Sequence, residues 1–175
     1  MSQKRKAVFF DRDGVINKVT IQNGIPSSPR EYRNFELVEG IADVLKQLKA
    51  RNYVLIIVTN QPDIARGLLP MAECMKMHTF IRKTLSVDDI VLCPHDDEDE
   101  CSCRKPKSGM LVSTAARWSI DLTQSFIIGD TWRDAAAGRA AGCSVIIVDK
   151  PYNKNVDSDY RIYNIRSALD IIVGG

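Results

Sequence analysis

Apolar and polar positions along the 175-residue chain alternate between two kinds of pattern. "AVFF" at 7 to 10 is a short unbroken apolar run, the signature of a strand buried on both faces. "GIADVLKQLKARN" then places Ile41, Val44, Leu45 and Leu48 at helical spacing, with Asn52 as a stop. "YVLIIVTN" (53 to 60), a helical stretch around 71 to 85 and "DIVLC" (89 to 93) repeat the alternation. A helix over 108 to 118, "SFIIGD" (125 to 130), an Ala-rich helix over 134 to 141 and "SVIIVD" (144 to 149) continue it. Strands and helices in strict turn predict an α/β fold, a Rossmann-like parallel sheet with helices on both faces. Two segments break the rhythm. Residues 18 to 36, with Pro26 and Pro29, read as a loop excursion, and 93 to 109 hold almost no core-forming residues.

Composition narrows the class without changing this picture. The length suits one domain over 1–175 with a substantial core, and no second-domain linker or repeat is visible. Apolar residues make up 45% and charged residues 26%, and the formal net charge is only +2, so a nucleic-acid partner is not expected. No apolar stretch is long enough to span a bilayer and the start does not read as a signal peptide, so no membrane partner is expected either. Cys74, Cys93, Cys101, Cys103 and Cys143 are odd in number, and three crowd into eleven positions, which favours metal ligation in a reducing cytoplasm over disulfides.

Candidate chemistry gathers where parallel sheets bind ligands, outside the carboxyl ends of the strands. Asp11 and Asp13 follow the first strand, Thr59 and Asn60 end the second, and Gly129 and Asp130 end a later one, with Asp134 beyond. "CRKPKSG" supplies Arg104 and Lys105 between them. Carboxylates sharing one crevice repel each other and call for a hard divalent cation such as Mg²⁺. Separately, "CPHDDEDECSC" sets Cys93, His95, Cys101 and Cys103 in a C-x-H-x5-C-x-C array, a closed tetrahedral site suited to structural Zn²⁺. The acidic run Asp96 to Glu100 reads as a solvated face, and Cys74, Cys143 and His78 read as core or surface positions.

The ordered motifs D-R-D-G-V, V-T-N-Q, C-R-K-P and G-D-x-x-x-D resemble those of the haloacid dehalogenase superfamily of aspartate-dependent phosphatases. More narrowly, the chain resembles the heptose bisphosphate phosphatase and histidinol-phosphate phosphatase branch, from about residue 7 to 149. The gaps between the motifs are filled by core elements and short loops, so no large cap domain is expected. The resemblance implies Asp11 as nucleophile forming an aspartyl-phosphate and Asp13 as general acid and base. Thr59 and Lys105 would contact the transferring phosphoryl group, and Thr59, Asn60, Arg104 and Lys105 would bind substrate. Mg²⁺ would sit on Asp11, the Asp13 main-chain carbonyl and Asp130. The zinc loop, shared with that branch, would clamp Arg104 and Lys105. Two roles stand open for Asp134, orienting Lys105 or stabilising a helix N-terminus. Trp132 reads equally as a substrate contact or a packing residue.

Two departures from the branch bear on substrate. Pro62 and Asp63 stand where Ser-Gly is common, and Thr131 stands where a basic residue commonly follows Gly-Asp. The latter loses a charge for the phosphate that is not cleaved, for which Arg104 is the best-placed cation, with Arg133 or Arg66 as the compensating alternatives. The leading expectation is a cytoplasmic, monomeric, Mg²⁺-dependent phosphatase removing the 7-phosphate of a heptose 1,7-bisphosphate, a small phosphorylated sugar. Histidinol phosphate is the alternative substrate, a 3′-phosphate on DNA a third, and a catalytically silent phosphosugar-binding module the rival from another class.

Overall fold

The computed structural model of the protein describes residues 4–174. Strand β1 (Ala7–Phe10) is followed by a short antiparallel hairpin, β2 (Thr20–Gln22) and β3 (Ile25–Ser27), and by helix α1 (Ile41–Ala50). Then come β4 (Val54–Asn60), the one-turn α2 (Pro62–Ala65), α3 (Met71–Thr84) and β5 (Asp89–Cys93). The second half runs α4 (Gly109–Trp118), β6 (Phe126–Gly129), α5 (Trp132–Ala141), β7 (Ser144–Val148), β8 (Tyr160–Ile162) and α6 (Ala168–Val173).

Six strands form one sheet in the order β5-β4-β1-β6-β7-β8, and every pairing is parallel. The alternation of side chains along β1 divides the core into two layers. Val8 and Phe10 face one side, packed with Leu45 and Leu48 of α1, Ile81 of α3 and Ile172 of α6. Ala7 and Phe9 face the other, with Met110 and Leu111 of α4 and Ala135 of α5. A strand buried on both faces cannot alternate apolar with polar, which is why β1 and β4 read as continuous apolar runs.

β1 is the switch point of the sheet. The chain moves outward from it in one direction through β4 and β5, and in the other through β6, β7 and β8. The loops leaving β1, β4 and β6 therefore diverge and open a crevice at the end of β1. Helix α5 lies unusually close to the sheet. A Cβ at Gly138 would sit 2.3 Å from Ile127 Cγ2, so only glycine lets the helix settle there and carry its first turn to the crevice.

Most boundaries fall within two residues of the sequence reading. The 18–36 excursion differs, since it contains the β2–β3 hairpin and a 3₁₀ turn at Tyr32–Asn34. β8 and α6 lie beyond the last element the pattern revealed. β8 is three residues long with only Ile162 fully buried, too short for a period to register.

Candidate active site

β1 ends by aiming Asp11 into the crevice, its main-chain N–H bonded to Ile128 O at 2.8 Å. The chain then turns through Gly14, whose φ of +88° suits glycine, and Gly14 N–H closes the turn on Asn17 O at 2.8 Å. A Cβ here would lie 2.0 Å from Asp130 Oδ2, so glycine also allows the β1 and β6 loops to touch. Asp13 sits within this turn under three donors. Arg12 Nη2 reaches both its oxygens at 3.0 and 3.2 Å, Asn17 Nδ2 donates at 2.9 Å and Gln61 Nε2 at 2.7 Å.

Lys105 arrives from the loop between β5 and α4 and is buried. Its ammonium donates to Asp11 Oδ1 at 2.7 Å, Asp134 Oδ1 at 2.6 Å and Val58 O at 2.8 Å, one acceptor for each N–H. Asn60 spends both ends of its amide on the Lys105 main chain, at 2.9 and 3.1 Å. Thr59 is fully buried, and its hydroxyl accepts from Gln61 Nε2 at 2.9 Å. Asp134 fills both roles that the sequence left open. One oxygen takes Lys105, and the other accepts from the Thr131 N–H and hydroxyl at 3.0 and 2.6 Å, capping α5.

Electrostatics follow from this crowding. Four buried carboxylates, Asp11, Asp13, Asp130 and Asp134, share the cluster with two buried cations, Arg12 and Lys105. Burial, with help from Asp134, Asp130 and Asp13, raises Asp11 well above the usual carboxylate range against the pull of Lys105. Burial and then Asp134 push Asp130 up to about 7, opposed by the Tyr152 hydroxyl. Asp13 goes the other way. Burial acts to raise it, but Arg12, Asn17 and Gln61 together hold it below its ordinary value. Burial would lower Lys105, and Asp11 and Asp134 overcome it, keeping the lysine above its ordinary range.

The residues present fit a hard divalent cation. Carboxylate oxygens of Asp11, Asp130 and Asp134 lie within 4.8 Å of one another. Asp134 is spent on Lys105 and its cap, while Asp130 Oδ1 is buried with no partner among the described residues. A fully buried oxygen without a donor is costly, and a cation between Asp130 and Asp11 satisfies it while relieving their repulsion. A second group is built differently. Cys93, Cys101 and Cys103 Sγ and His95 Nδ1 stand 3.2–3.7 Å apart along five of their six edges. A Zn²⁺ tetrahedron with bonds of about 2.3 Å to sulfur has edges of about 3.8 Å, so the group has nearly the size of a closed zinc site. Arg104 leaves this loop buried, with Nε on Asp97 at 2.7 Å and Nη1 on His95 O at 3.3 Å.

The family model described as polynucleotide kinase 3 phosphatase matches residues 6–171. The chain belongs to this phosphatase family. It is similar to the D-glycero-beta-D-manno-heptose-1,7-bisphosphate 7-phosphatase of Haemophilus influenzae, 38% identical over 147 residues, 78% of this chain and 77% of the relative. It is 34% identical to the D-glycero-alpha-D-manno-heptose-1,7-bisphosphate 7-phosphatase of Campylobacter jejuni, over 95% of each chain. The crystal structure of D,D-heptose 1,7-bisphosphate phosphatase from B. bronchiseptica, complexed with magnesium and phosphate, superposes with a TM-score of 0.83. That match covers 97% of this chain and 98% of that one at 25% identity.

Sequence reasoning missed several residues that shape the phosphatase site. Arg12 is the largest fully buried side chain, wedged between Asp13, His78 Nε2 at 3.3 Å and Cys74 Sγ at 3.8 Å. Gln61 links Thr59 to Asp13, and Asn153 donates to Asp130 O and Val148 O, each at 2.8 Å. Arg12 and Gln61 stand within the motifs D-R-D-G-V and V-T-N-Q, a signal that was available. Asn153 and Tyr152 lie in a turn with no pattern to mark them.

The buried Arg12–His78 contact yields a prediction about stability. Burial first, then the Arg12 charge, lowers His78 from its ordinary value to about 4. The unfolded chain therefore binds a proton that the folded chain refuses between pH about 6.5 and 4, so stability falls as pH drops through that window. His78→Gln should remove this share of the slope, on the order of 3 kcal/mol across the window. Urea midpoints of wild type and variant measured from pH 7 to 4 check it, and parallel curves would assign the acid sensitivity elsewhere.

Proposed function

We propose that the protein is a Mg²⁺-dependent phosphomonoesterase that removes the 7-phosphate of a heptose 1,7-bisphosphate through a phosphorylated Asp11. The observation that carries this reading is the meeting of Asp11 with Lys105 at 2.7 Å beside an Asp130 oxygen that has no partner among the described residues. A nucleophile, a fixed cation and an unfilled carboxylate ligand stand together, as phosphoryl transfer requires. The named activities of the relatives from Haemophilus influenzae and Campylobacter jejuni supply the substrate class.

Asp11 attacks phosphorus while Lys105 neutralises the equatorial oxygens. The Thr59 oxygen already accepts from Gln61, which leaves its O–H free to donate to the phosphoryl group. Asp13 gives a proton to the departing alcohol and later takes one from the water that attacks Asp11 phosphate. Arg12 favours the ionised Asp13, the form that activates water, so the first step draws on the less populated protonated form. Asp11, the Asp13 main-chain carbonyl and Asp130 would hold Mg²⁺, which when bound adds charge neutralisation at the phosphoryl oxygens. Asn60 and Arg104 wall the adjoining cavity. Cys93, His95, Cys101 and Cys103 would hold Zn²⁺, which when bound would keep the 93–109 segment folded, and through it Arg104 and Lys105 in place.

Two experiments test the reading. Phosphate release in Mg²⁺ should be fastest with heptose 1,7-bisphosphate, slow with histidinol phosphate and slower still with a DNA 3′-phosphate. Asp11→Asn should abolish release from all three. A preference for either alternative substrate would replace the substrate assignment, and activity surviving in Asp11→Asn would remove the covalent step.

For zinc, metal analysis of protein purified without chelator should find about one equivalent per chain, the stoichiometry of a closed four-ligand site. Cys103→Ser should lose that zinc and cut turnover through a displaced Lys105, while the Mg²⁺ concentration needed for half-activity stays the same. Zinc-free protein with full activity would contradict the site.

A further inference from the structure

The cavity beside Asp11 has a volume of about 510 Å³ and extends well past the phosphate-cleaving groups. Four cationic side chains line it, Arg66, Arg104, Lys105 and Arg133, and their partners divide them sharply. Lys105 is consumed by Asp11 and Asp134. Arg66 makes a two-pronged contact to Asp96 at 2.5 and 2.7 Å and reaches Asp63 at 3.4 Å. Arg104 is tied to Asp97 at 2.7 Å and lies 3.9 Å from Asp96. Arg133 has neither an ion pair nor a hydrogen bond among the described residues. Its guanidinium carbon lies 4.9 Å from the centre of the Trp132 ring, and that ring is 53% exposed at the cavity wall.

An anion entering this cavity meets two different costs. At Arg66 or Arg104 it shares a guanidinium whose charge a carboxylate already offsets, and meets that carboxylate's repulsion. To bind Arg133 it displaces only water. The stack on Trp132 limits the freedom of the guanidinium beforehand and leaves its donors unused, and a planar fork suits phosphate in two-point contact. Arg133 also adds to the field at Asp97, after the larger pull of Arg104, which puts it toward the Arg104 side of the cavity.

We propose that Arg133, held over the ring of Trp132, receives the phosphate that is not cleaved and so sets the preference for a bisphosphate over a monophosphate. This rests on the heptose bisphosphate reading above. It assigns the second phosphate to α5, to a residue one position before Asp134, rather than to the zinc loop alone. Arg133 is here a specificity residue that touches substrate away from the reacting atoms.

The test compares heptose 1,7-bisphosphate with heptose 7-phosphate, which lacks the anomeric phosphate, as paired kcat/KM values. Arg133→Ala should lower the preference for the bisphosphate about 30-fold, the loss expected of one charge-assisted contact, with the change in KM rather than kcat. Arg133→Lys, which keeps charge without the fork, should recover part of it, and Arg133→Glu should lose more than alanine. Trp132→Ala should shift the preference in the same direction by a smaller factor. An equal loss on both substrates, or no loss on either, overturns the assignment while the substrate reading stands. A wild-type enzyme that treats the two sugars alike overturns both.

Discussion

The site depends on one buried ammonium. Lys105 has its three N–H groups on Asp11, Asp134 and Val58 O, which joins the ends of β1 and β4 to the first turn of α5. Removing one partner from such a buried pair leaves an unmatched charge and costs about 3–5 kcal/mol, more than the surrounding loop has apolar contacts to offset. Lys105 thereby fixes the spacing between the nucleophile and the neighbouring carboxylates. It also leaves the cluster with an excess of negative charge, four carboxylates against two cations. That excess is what a divalent cation answers, and it adds to the burial that chiefly raises Asp11 and Asp130.

The segment that delivers Lys105 has little hydrophobic packing of its own. Its order comes from polar sources instead: the Cys93, His95, Cys101 and Cys103 cluster, the two-ended Asn60 clamp and Lys107 on the carbonyls of Glu100 and Cys101 at 2.9 and 2.7 Å. Metal ligation and main-chain hydrogen bonds can hold a loop where apolar burial cannot. The arginines follow the same logic. Arg66 and Arg104 brace the loop through Asp96 and Asp97, which explains why their charges are spoken for although they line the cavity.

Much of this was legible in the sequence for definite reasons. Continuous apolar runs at 7–10 and 54–58 mark strands buried on both faces, and their order put Asp11, Thr59 and Asp130 at one edge of the sheet. The cysteine spacing announced a four-ligand group because thiols and an imidazole at such intervals have few other uses. What stayed hidden lacks a period or a motif. The β2–β3 hairpin is six strand residues around a tight turn, and β8 is held by a short ladder to β7. Arg12 stands between two aspartates with no role that spacing reveals, yet it is buried behind Asp13 with His78 and Cys74, a contact made across 62 and 66 positions of chain. Which arginine of the cavity is unpaired is likewise a matter of three-dimensional partners, which spacing does not encode.

The central claim is that β1 presents Asp11 as a nucleophile to phosphorus and that Asp13 is needed to release it. Asp13→Asn, incubated with Mg²⁺ and an aryl phosphate, whose leaving group departs without a general acid, and then quenched in acid, tests this most directly by peptide mass analysis. The account predicts a phosphoryl group on the peptide that contains Asp11, accumulating because water is no longer activated to remove it. Phosphate release by this variant with no phosphorylated peptide, or a phosphoryl group on any residue other than Asp11, would contradict it.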